Sequence, residues 1–399
     1  MRKKLLPLAL GGLGIGSTEF VMMGILPDVA KEFNISIPEA GHMISAYALG
    51  VVIGAPTLVA LSSKITPKRI LFGLMVLFTV FNTLSAFAPN NTVLFFARLL
   101  SGLPHGAFFG VGSVVASQLA DKGKQARAIA IMFSGLTIAN LITVPLGTYI
   151  GHEFSWRYTF GCIGIIGLIT LSAIYFMLPS LPARKGSSIG SELKVFKQLD
   201  PWLIFLITAI GTGGLFCWIS YIAPLMTDVA KFDSSTVPYI LIVAGFGMVV
   251  GNLIGGKLAD SLKPASATIV LLFAMAVTLG LIYFFSENQV ASIILTFIAG
   301  SCSLALAAPI QLLMIDSSKG AEMLGASITQ AAFNLGNALG AYLGGLPVAA
   351  GLGYTSPSMV GVLMALGGAG FAWILILKRR KTAVDPQEKK ELSGAVYIH

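Results

Sequence analysis

Long apolar runs separated by short polar breaks constrain this chain more than any single residue does. A helix needs about 20 predominantly apolar residues to cross a bilayer. Twelve runs of that order lie near 5–26, 42–62, 70–88, 93–119, 128–151, 158–178, 202–225, 237–256, 265–285, 290–315, 323–351 and 357–377. They are continuous rather than alternating and far exceed the length of a barrel strand, so an all-α integral membrane protein is expected. Only 11% of the residues are charged against 55% hydrophobic, which excludes a water-soluble globule, a disordered chain and a coiled coil. The first run follows Arg2, Lys3 and Lys4. It is too long for a signal peptide, contains Glu19 and lacks a small-residue cleavage site, so it reads as a retained helix.

The basic residues set the topology. On one side of the spans lie Arg2, Lys3, Lys4, Lys64, Lys68, Arg69, Lys122, Lys124, Arg127, Arg184, Lys185, Lys194, Lys197, Lys257, Lys263, Lys319 and the six from Lys378 to Lys390, 22 of the 26 Lys and Arg. The other side has Lys31, Arg157 and Lys231, and Arg98 lies inside a span. The positive-inside rule then places both termini in the cytoplasm. The net charge of +9 becomes a topology signal and not a nucleic-acid surface. The longest break, 179–201, divides the spans six and six. It is read as a cytoplasmic linker between a bundle at 1–178 and a bundle at 202–377, with a polar, mobile cytoplasmic tail at 378–399. Trp156, Trp202 and Trp373 fall at span ends, as interfacial anchors do. Cys162, Cys217 and Cys302 have neither disulfide nor metal spacing and are expected as small buried hydrophobes. No metal and no cofactor is expected.

The two halves repeat. At an offset of 197 residues, Gly14, Gly16 and Pro27 fall on Gly211, Gly213 and Pro224. Gly50, Gly54, Leu61 and Pro67 fall on Gly247, Gly251, Leu258 and Pro264, and Asn140 and Gly147 on Asn337 and Gly344. One offset thus relates spans 1 and 7, 2 and 8, and 5 and 11. A repeated six-helix unit is a transporter plan, with the substrate between the halves near mid-membrane. The repeat also exposes an asymmetry, because Glu19 maps to Phe216 and Arg98 to Leu295.

Glu19 and Arg98 are the two firmly charged residues within the spans, joined by His105. A charge at the bilayer centre costs about 2.5–3.5 kcal/mol on insertion scales, so such residues mark function. Glu19 lies about 21 Å above Leu5 at 1.5 Å per residue, and Arg98 at about the same level, so the two pair if spans 1 and 4 touch. His105 is on the same face as Arg98, about 10 Å deeper. Glu19 is read as the site of proton binding and release, with Arg98 tuning it and His105 as a third candidate. The alternative is a permanent structural pair.

Polar and aromatic residues near mid-span are the substrate-pocket candidates. Gln330, Asn334 and Asn337 form a stripe on span 11, and Thr137 and Asn140 a shorter one at repeat-related positions on span 5. Trp218 and Tyr221 on span 7 and Asn252 on span 8 complete the set. Amides with aromatics, and no second buried acid, suit a neutral polar or amphiphilic solute.

These motifs, in this order over the full length, resemble the major facilitator superfamily. Within it they resemble the drug:proton antiporter-1 group, near the bacterial sugar-efflux permeases. The run Thr18-Glu19-Phe20-Val21-Met22-Met23-Gly24-Ile25-Leu26-Pro27 is similar to that group's first-helix signature. Arg98, Gly102 and Gly106 resemble the fourth-helix motif, whose arginine the resemblance links to proton transfer. Gly135, Asn140, Pro145 and Gly147 resemble the fifth-helix antiporter motif, although Pro145-Leu146-Gly147 departs from its usual Gly-Pro-x-x-Gly-Gly. Ser155-Trp156-Arg157 with Thr159 and Phe160 resembles the family's start of span 6. The loop 2–3 motif is degraded: Ser63 stands where aspartate is expected, followed by Lys64, and Lys68 and Arg69 keep only its basic end. The second copy, Gly256 to Asp260, is better preserved, although Ser261 replaces its arginine. In that motif an aspartate, a helix N-terminus and basic partners latch one conformation. Asp260 can do this and Ser63 cannot by charge, so a looser N-half latch is expected.

The resemblance implies a monomeric multi-pass transporter of the bacterial inner membrane, exporting a small neutral or amphiphilic solute such as a sugar or drug against protons. The competing readings are a proton-independent facilitator of the same fold and a lipid or glycolipid flippase. No nucleophile–base pair, metal cluster or phosphate loop supports an enzyme or ATP-driven transport.

Overall fold

The computed structural model describes residues 2–35, 37–62, 65–182, 194–233 and 236–395. Among them there are helices and no strands. The first set comprises α1 (Arg2–Gly24), α2 (Leu26–Phe33), α3 (Ile37–Leu61), α4 (Pro67–Ala86), α5 (Asn91–Gln118), α6 (Gln125–Ile138), α7 (Val144–Ile150) and α8 (Trp156–Met177). The second set comprises α9 (Leu199–Leu206), α10 (Gly213–Ile219), α11 (Val237–Ser261), α12 (Pro264–Phe285), α13 (Gln289–Ala305), α14 (Ala307–Ser317), α15 (Glu322–Ala349) and α16 (Ser356–Ala395).

The repeat seen in the sequence writes the same start signals into both sets. Pro67 and Pro264 open α4 and α12, each after an extended residue, Thr66 or Lys263. Proline fits the first turn of a helix and forces extended backbone before it. Asn90 and Asn288 then cap α5 and α13, accepting from the amides of Val93 and Ala291 at 2.9 and 3.0 Å.

The close packing is repeated too. A Cβ on Gly50 or Gly54 of α3 would strike the carbonyl oxygens of Leu99 and Leu103 on α5. A Cβ on Gly247, Gly251 or Gly255 of α11 would strike those of Phe297, Ser301 and Ala305 on α13. Such backbone-to-backbone approach is what small residues provide between helices in lipid.

Among the described residues, ten segments are long and apolar enough to cross a membrane. One of them, Gln125–Met177, runs for 53 residues, where the sequence predicts two spans with a break. The break is a reversal at Ser155, whose backbone is extended (φ −171°, ψ 140°) and whose hydroxyl accepts from the Arg157 amide. On either side of α7 the chain takes wider π-helical turns, Ala139–Thr143 and Gly151–Ser155. The first precedes Pro145, which lacks an N–H and crowds the carbonyl one turn back; a π turn absorbs that misfit. The span expected at 323–351 is helical as α15 but falls outside the ten, because its amide stripe lowers its hydropathy.

The two sets meet mainly through α5 and α3 against α15, and through α6 against α11 and α14. The tight contacts cluster toward the end where α5 and α11 finish and α6 and α15 start. A Cβ on Gly110 would strike Ser327, one on Gly106 would lie 3.4 Å from Gln330 Cβ, and one on Gly256 would lie 2.8 Å from Ala130 Cβ. About 16 Å further along α11, a Cβ on Gly245 would find Leu141 only at 3.9 Å. Contact between the sets is therefore tightest toward that end and relaxes to ordinary van der Waals distance at Gly245.

Two expectations need correction. Trp156 is buried, with its indole N–H donating to Glu32, because the Glu32–Arg157 pair draws it inward; Trp202 and Trp373 are exposed as expected. Cys162 is exposed, unlike Cys217 and Cys302, because it lies on the outer face of α8. Helix α16 continues into the tail as far as Ala395.

The packing predicts a stability contrast. Gly54→Val and Gly251→Val each cost about 1–3 kcal/mol by overpacking. Gly73→Val, where a Cβ meets nothing within 4 Å, leaves stability unchanged. Thermal unfolding of the purified variants in detergent checks the difference.

Candidate functional site

Glu19 and Arg98 share one level of the first set and His105 lies a layer deeper, with a geometry that spacing alone does not show. Arg98 is fully buried on α5. Its guanidinium lies between the rings of Tyr47, 4.5 Å from the centroid, and Phe160 at 5.5 Å, an arrangement stabilised by cation–π attraction. Its Nη1 donates to the Thr18 hydroxyl at 2.8 Å, while Nε and Nη2 have no hydrogen-bond partner. Glu19 is half-buried and within electrostatic range of Arg98 and Tyr47. The expected Glu19–Arg98 ion pair is not formed, since the arginine bonds to the residue before the carboxylate. His105 is buried beneath them, its Nδ1 3.1 Å from the Tyr47 hydroxyl and its ring against Phe109. Gly102 makes this possible, because any side chain there would strike the Tyr47 backbone and push α3 away.

The polar stripes divide between two levels. Gln330 is buried in the packed end, where it donates to Gln311 Oε1 at 3.0 Å; Gln311 in turn donates to the Ala326 carbonyl at 2.9 Å. Asn334 and Asn337 are half-buried further along α15, as Asn140 is in the π turn after α6. Asn140 and Asn334 donate to carbonyls of their own helices, Leu136 and Gln330. Thr137 is buried and bonds to Ser134. Asn252 is also buried, with its amide bonded across the sets to the Ala130 carbonyl at 2.7 Å. Trp218 lies in the core of the second set, and Tyr221 donates to the Ala341 carbonyl at 3.0 Å.

Of the two latch copies, the second is described with its contacts, while Ser63 and Lys64 of the first lie outside the described residues. Helix α6 starts at Gln125 with Lys124 before it and has no capping side chain of its own. Asp260, at the end of α11, supplies the missing acceptor: its carboxylate takes the amides of Ala126 at 2.9 Å and Arg127 at 3.1 Å. Free N–H groups and the helix dipole make a helix N-terminus a seat for such a carboxylate. Arg69 is exposed. Pro145 opens α7 after the π turn, and Gly147 lets α1, α7 and α8 converge, since a Cβ there would lie 2.9 Å from Val21 and 3.0 Å from Thr159. Gly106 places α5 against α3 and α15 together.

The sequence reading missed Thr18, Tyr47, Asn82, Phe160 and Gln311. Gln311 and Asn82 carried a signal, since each is a lone amide in an apolar span; Thr18 and Phe160 stood in family-like motifs without a site role, and Tyr47 carried none.

Repeat-related sets of apolar helices, packed most tightly toward one end beside buried charged residues, are the plan of a multi-pass membrane transporter. The chain belongs to the Major Facilitator Superfamily, whose family model matches residues 8–327. It is 39% identical over 385 residues to "Putative transporter AraJ" of Escherichia coli (strain K12), covering 96% of this chain and 98% of that protein. It is 39% identical to the inner membrane transport protein YdhP of the same organism, covering 93% of this chain and 94% of the relative. Among solved structures, the proton:xylose symporter XylE superposes with a TM-score of 0.73 at 17% identity, covering 93% of this chain and 94% of that one. The fucose:proton symporter FucP of Escherichia coli superposes with 0.74 at 13%, covering 93% and 98%. At these identities the two structures show the shared fold.

The Asp260 cap predicts a change in the closed end. Asp260→Ala removes a cap worth about 1 kcal/mol. A reporter cysteine at Ser327, in a cysteine-free background, is then labelled about fivefold faster by a water-soluble maleimide. Asp260→Glu labels at a rate nearer that of the parent.

Proposed function

We propose that this chain is a proton-coupled exporter, moving a small neutral or amphiphilic solute out of a bacterial cell across the inner membrane by alternating access. The observation that carries this reading is a half-buried carboxylate, Glu19, without an ion-pair partner, beside a buried arginine and beyond the packed end of the bundle. A membrane-buried carboxylate not consumed by an ion pair is free to change its protonation. A facilitator with a permanent Glu19–Arg98 pair fits less well, because Arg98 is bonded to Thr18.

Twelve crossings follow if Gln125–Met177 is divided at Ser155 and α15 is counted with the ten apolar segments. Both termini are then on one side, and the basic loops place that side in the cytoplasm. The packed end becomes the cytoplasmic gate, and the residues form two bundles, 1–178 and 202–377, that rock about it. Helical rise places Glu19 about 25 Å from the start of α1, and Asn140, Asn334 and Asn337 about 18–22 Å from the starts of α6 and α15. These four half-buried groups share a level and form the solute site in this reading. Gln330, Thr137 and Asn252 are assigned to packing and to the gate. Trp218 and Tyr221 support the wall of the second bundle. The named sugar symporters of the same fold, and the transporter names of the relatives, support a small polar solute such as a sugar. The chain acts as a monomer without cofactor or enzymatic step.

The test is a pH-dye assay in proteoliposomes over pentoses, hexoses, nucleosides and cationic drugs, comparing the parent with Glu19→Gln. Solute-triggered proton movement is expected in the parent and abolished in Glu19→Gln, with solute binding retained. Solute counterflow without proton movement, equal in both proteins, would overturn proton coupling.

A further inference from the structure

Arg98 has two unpartnered nitrogens, yet it does not reach for the carboxylate next door. A buried guanidinium with free donors is strongly drawn to a carboxylate, so something holds it back. The structure contains the restraint. Asn82 of α4 is fully buried, and its amide Nδ2 donates to the Phe78 carbonyl at 2.8 Å. That bond fixes the amide's orientation and turns Oδ1 toward Thr18. The Thr18 hydroxyl donates to Asn82 Oδ1 at 2.5 Å. Its only proton is thereby committed, so toward Arg98 the hydroxyl is an acceptor, and Nη1 binds it at 2.8 Å. Thr18, Asn82 and Arg98 all have 0% exposure, so no water competes for these bonds. The Tyr47 and Phe160 rings then fix the plane of the guanidinium.

Thr18 and Glu19 are adjacent on α1 and therefore point about 100° apart. Thr18 faces α4 and α5 in the dry interior, while Glu19 is half-buried. We propose that Thr18 and Asn82 are positioning residues that hold Arg98 on the Thr18 face of α1 and keep it from pairing with Glu19. This rests on Glu19 being the proton carrier. The carboxyl stays free to take and release a proton, and the arginine is available when α1 turns. Among the described residues, the ionisable groups brought to this level and the layer beneath it by helices packed against α1 are Tyr47 from α3 and Arg98 and His105 from α5. Helices α4 and α6 bring none, and Cys162 of α8 is exposed.

Without the Thr18 hydroxyl, Arg98 swings to Glu19, and a cation brought against a carboxyl favours its ionised form. The experiment is infrared difference spectroscopy on the full chain in nanodiscs, following through pH the protonated-carboxyl band that Glu19→Gln removes. Thr18→Val is expected to displace that band's pH profile by about one unit toward lower pH, a tenfold change in proton affinity. Thr18→Ser keeps both bonds and the parent profile. Asn82→Leu displaces it in the same direction and serves if Thr18→Val does not fold. A Thr18→Val or Asn82→Leu profile that coincides with the parent's, or a Thr18→Ser profile displaced as far as Thr18→Val's, overturns the clamp. So does the absence of any titrating band that Glu19→Gln removes. The band is read without solute, so failure of the clamp and failure of proton-coupled transport are separate results.

Discussion

Helices in hydrocarbon gain little from hiding apolar surface against one another, so their association depends on shape. In this protein the shape is provided by glycines that bring one backbone onto the next. Gly50 and Gly54 seat α3 on α5, and Gly247, Gly251 and Gly255 seat α11 on α13 in the same manner. Further along α5, Gly106 lies against both α3 and α15 and Gly110 against Ser327 of α15, which brings the two sets together at one end. Everything at the site follows from this. Because α3 lies so close to α5 at Gly102, the Tyr47 ring reaches Arg98 and its hydroxyl reaches His105.

Tight apolar packing makes each buried polar group expensive, so the few that are present are bonded in short chains. The chain Phe78–Asn82–Thr18–Arg98 secures a cation without neutralising it. The chain Gln330–Gln311–Ala326 secures two amides in the packed end. Glu19 stands outside both. The repeat has no counterpart for it, since the related residue is Phe216, so the charged chemistry belongs to the first set and the second set supplies amides.

Much of the fold was legible because the bilayer imposes simple rules on sequence. Apolar run length marked the helices, and the 197-residue offset marked the prolines that start α4 and α12 and the glycines that seat α3 and α11. The failures were local. Nothing in the run 128–178 announced that its break would be one extended residue, Ser155, because the π turns beside it have no composition signal. Trp156 reads like an interfacial anchor until the Glu32–Arg157 pair, 125 residues apart, is seen to enclose it. For the site, the depth arithmetic correctly brought Glu19 and Arg98 to one level. It did not reveal which α1 side chain the arginine would meet, because a shift of one residue turns the helix by about 100°. Asn252 shows the same limit: a mid-span amide looks like a pocket residue, but its bond crosses to the Ala130 carbonyl.

The cap on α6 belongs to a different helix set from the helix it caps. Ordinary caps travel with their helix and are silent about the rest of the molecule. Here the amides of Ala126 and Arg127 are covered only while α11 stays beside them. If that end parts, as the proposed alternating access requires, these two N–H groups lose their acceptor and meet water. Their exchange with solvent deuterium is therefore a clock for the opening of this end, kept by two backbone protons and needing no added probe.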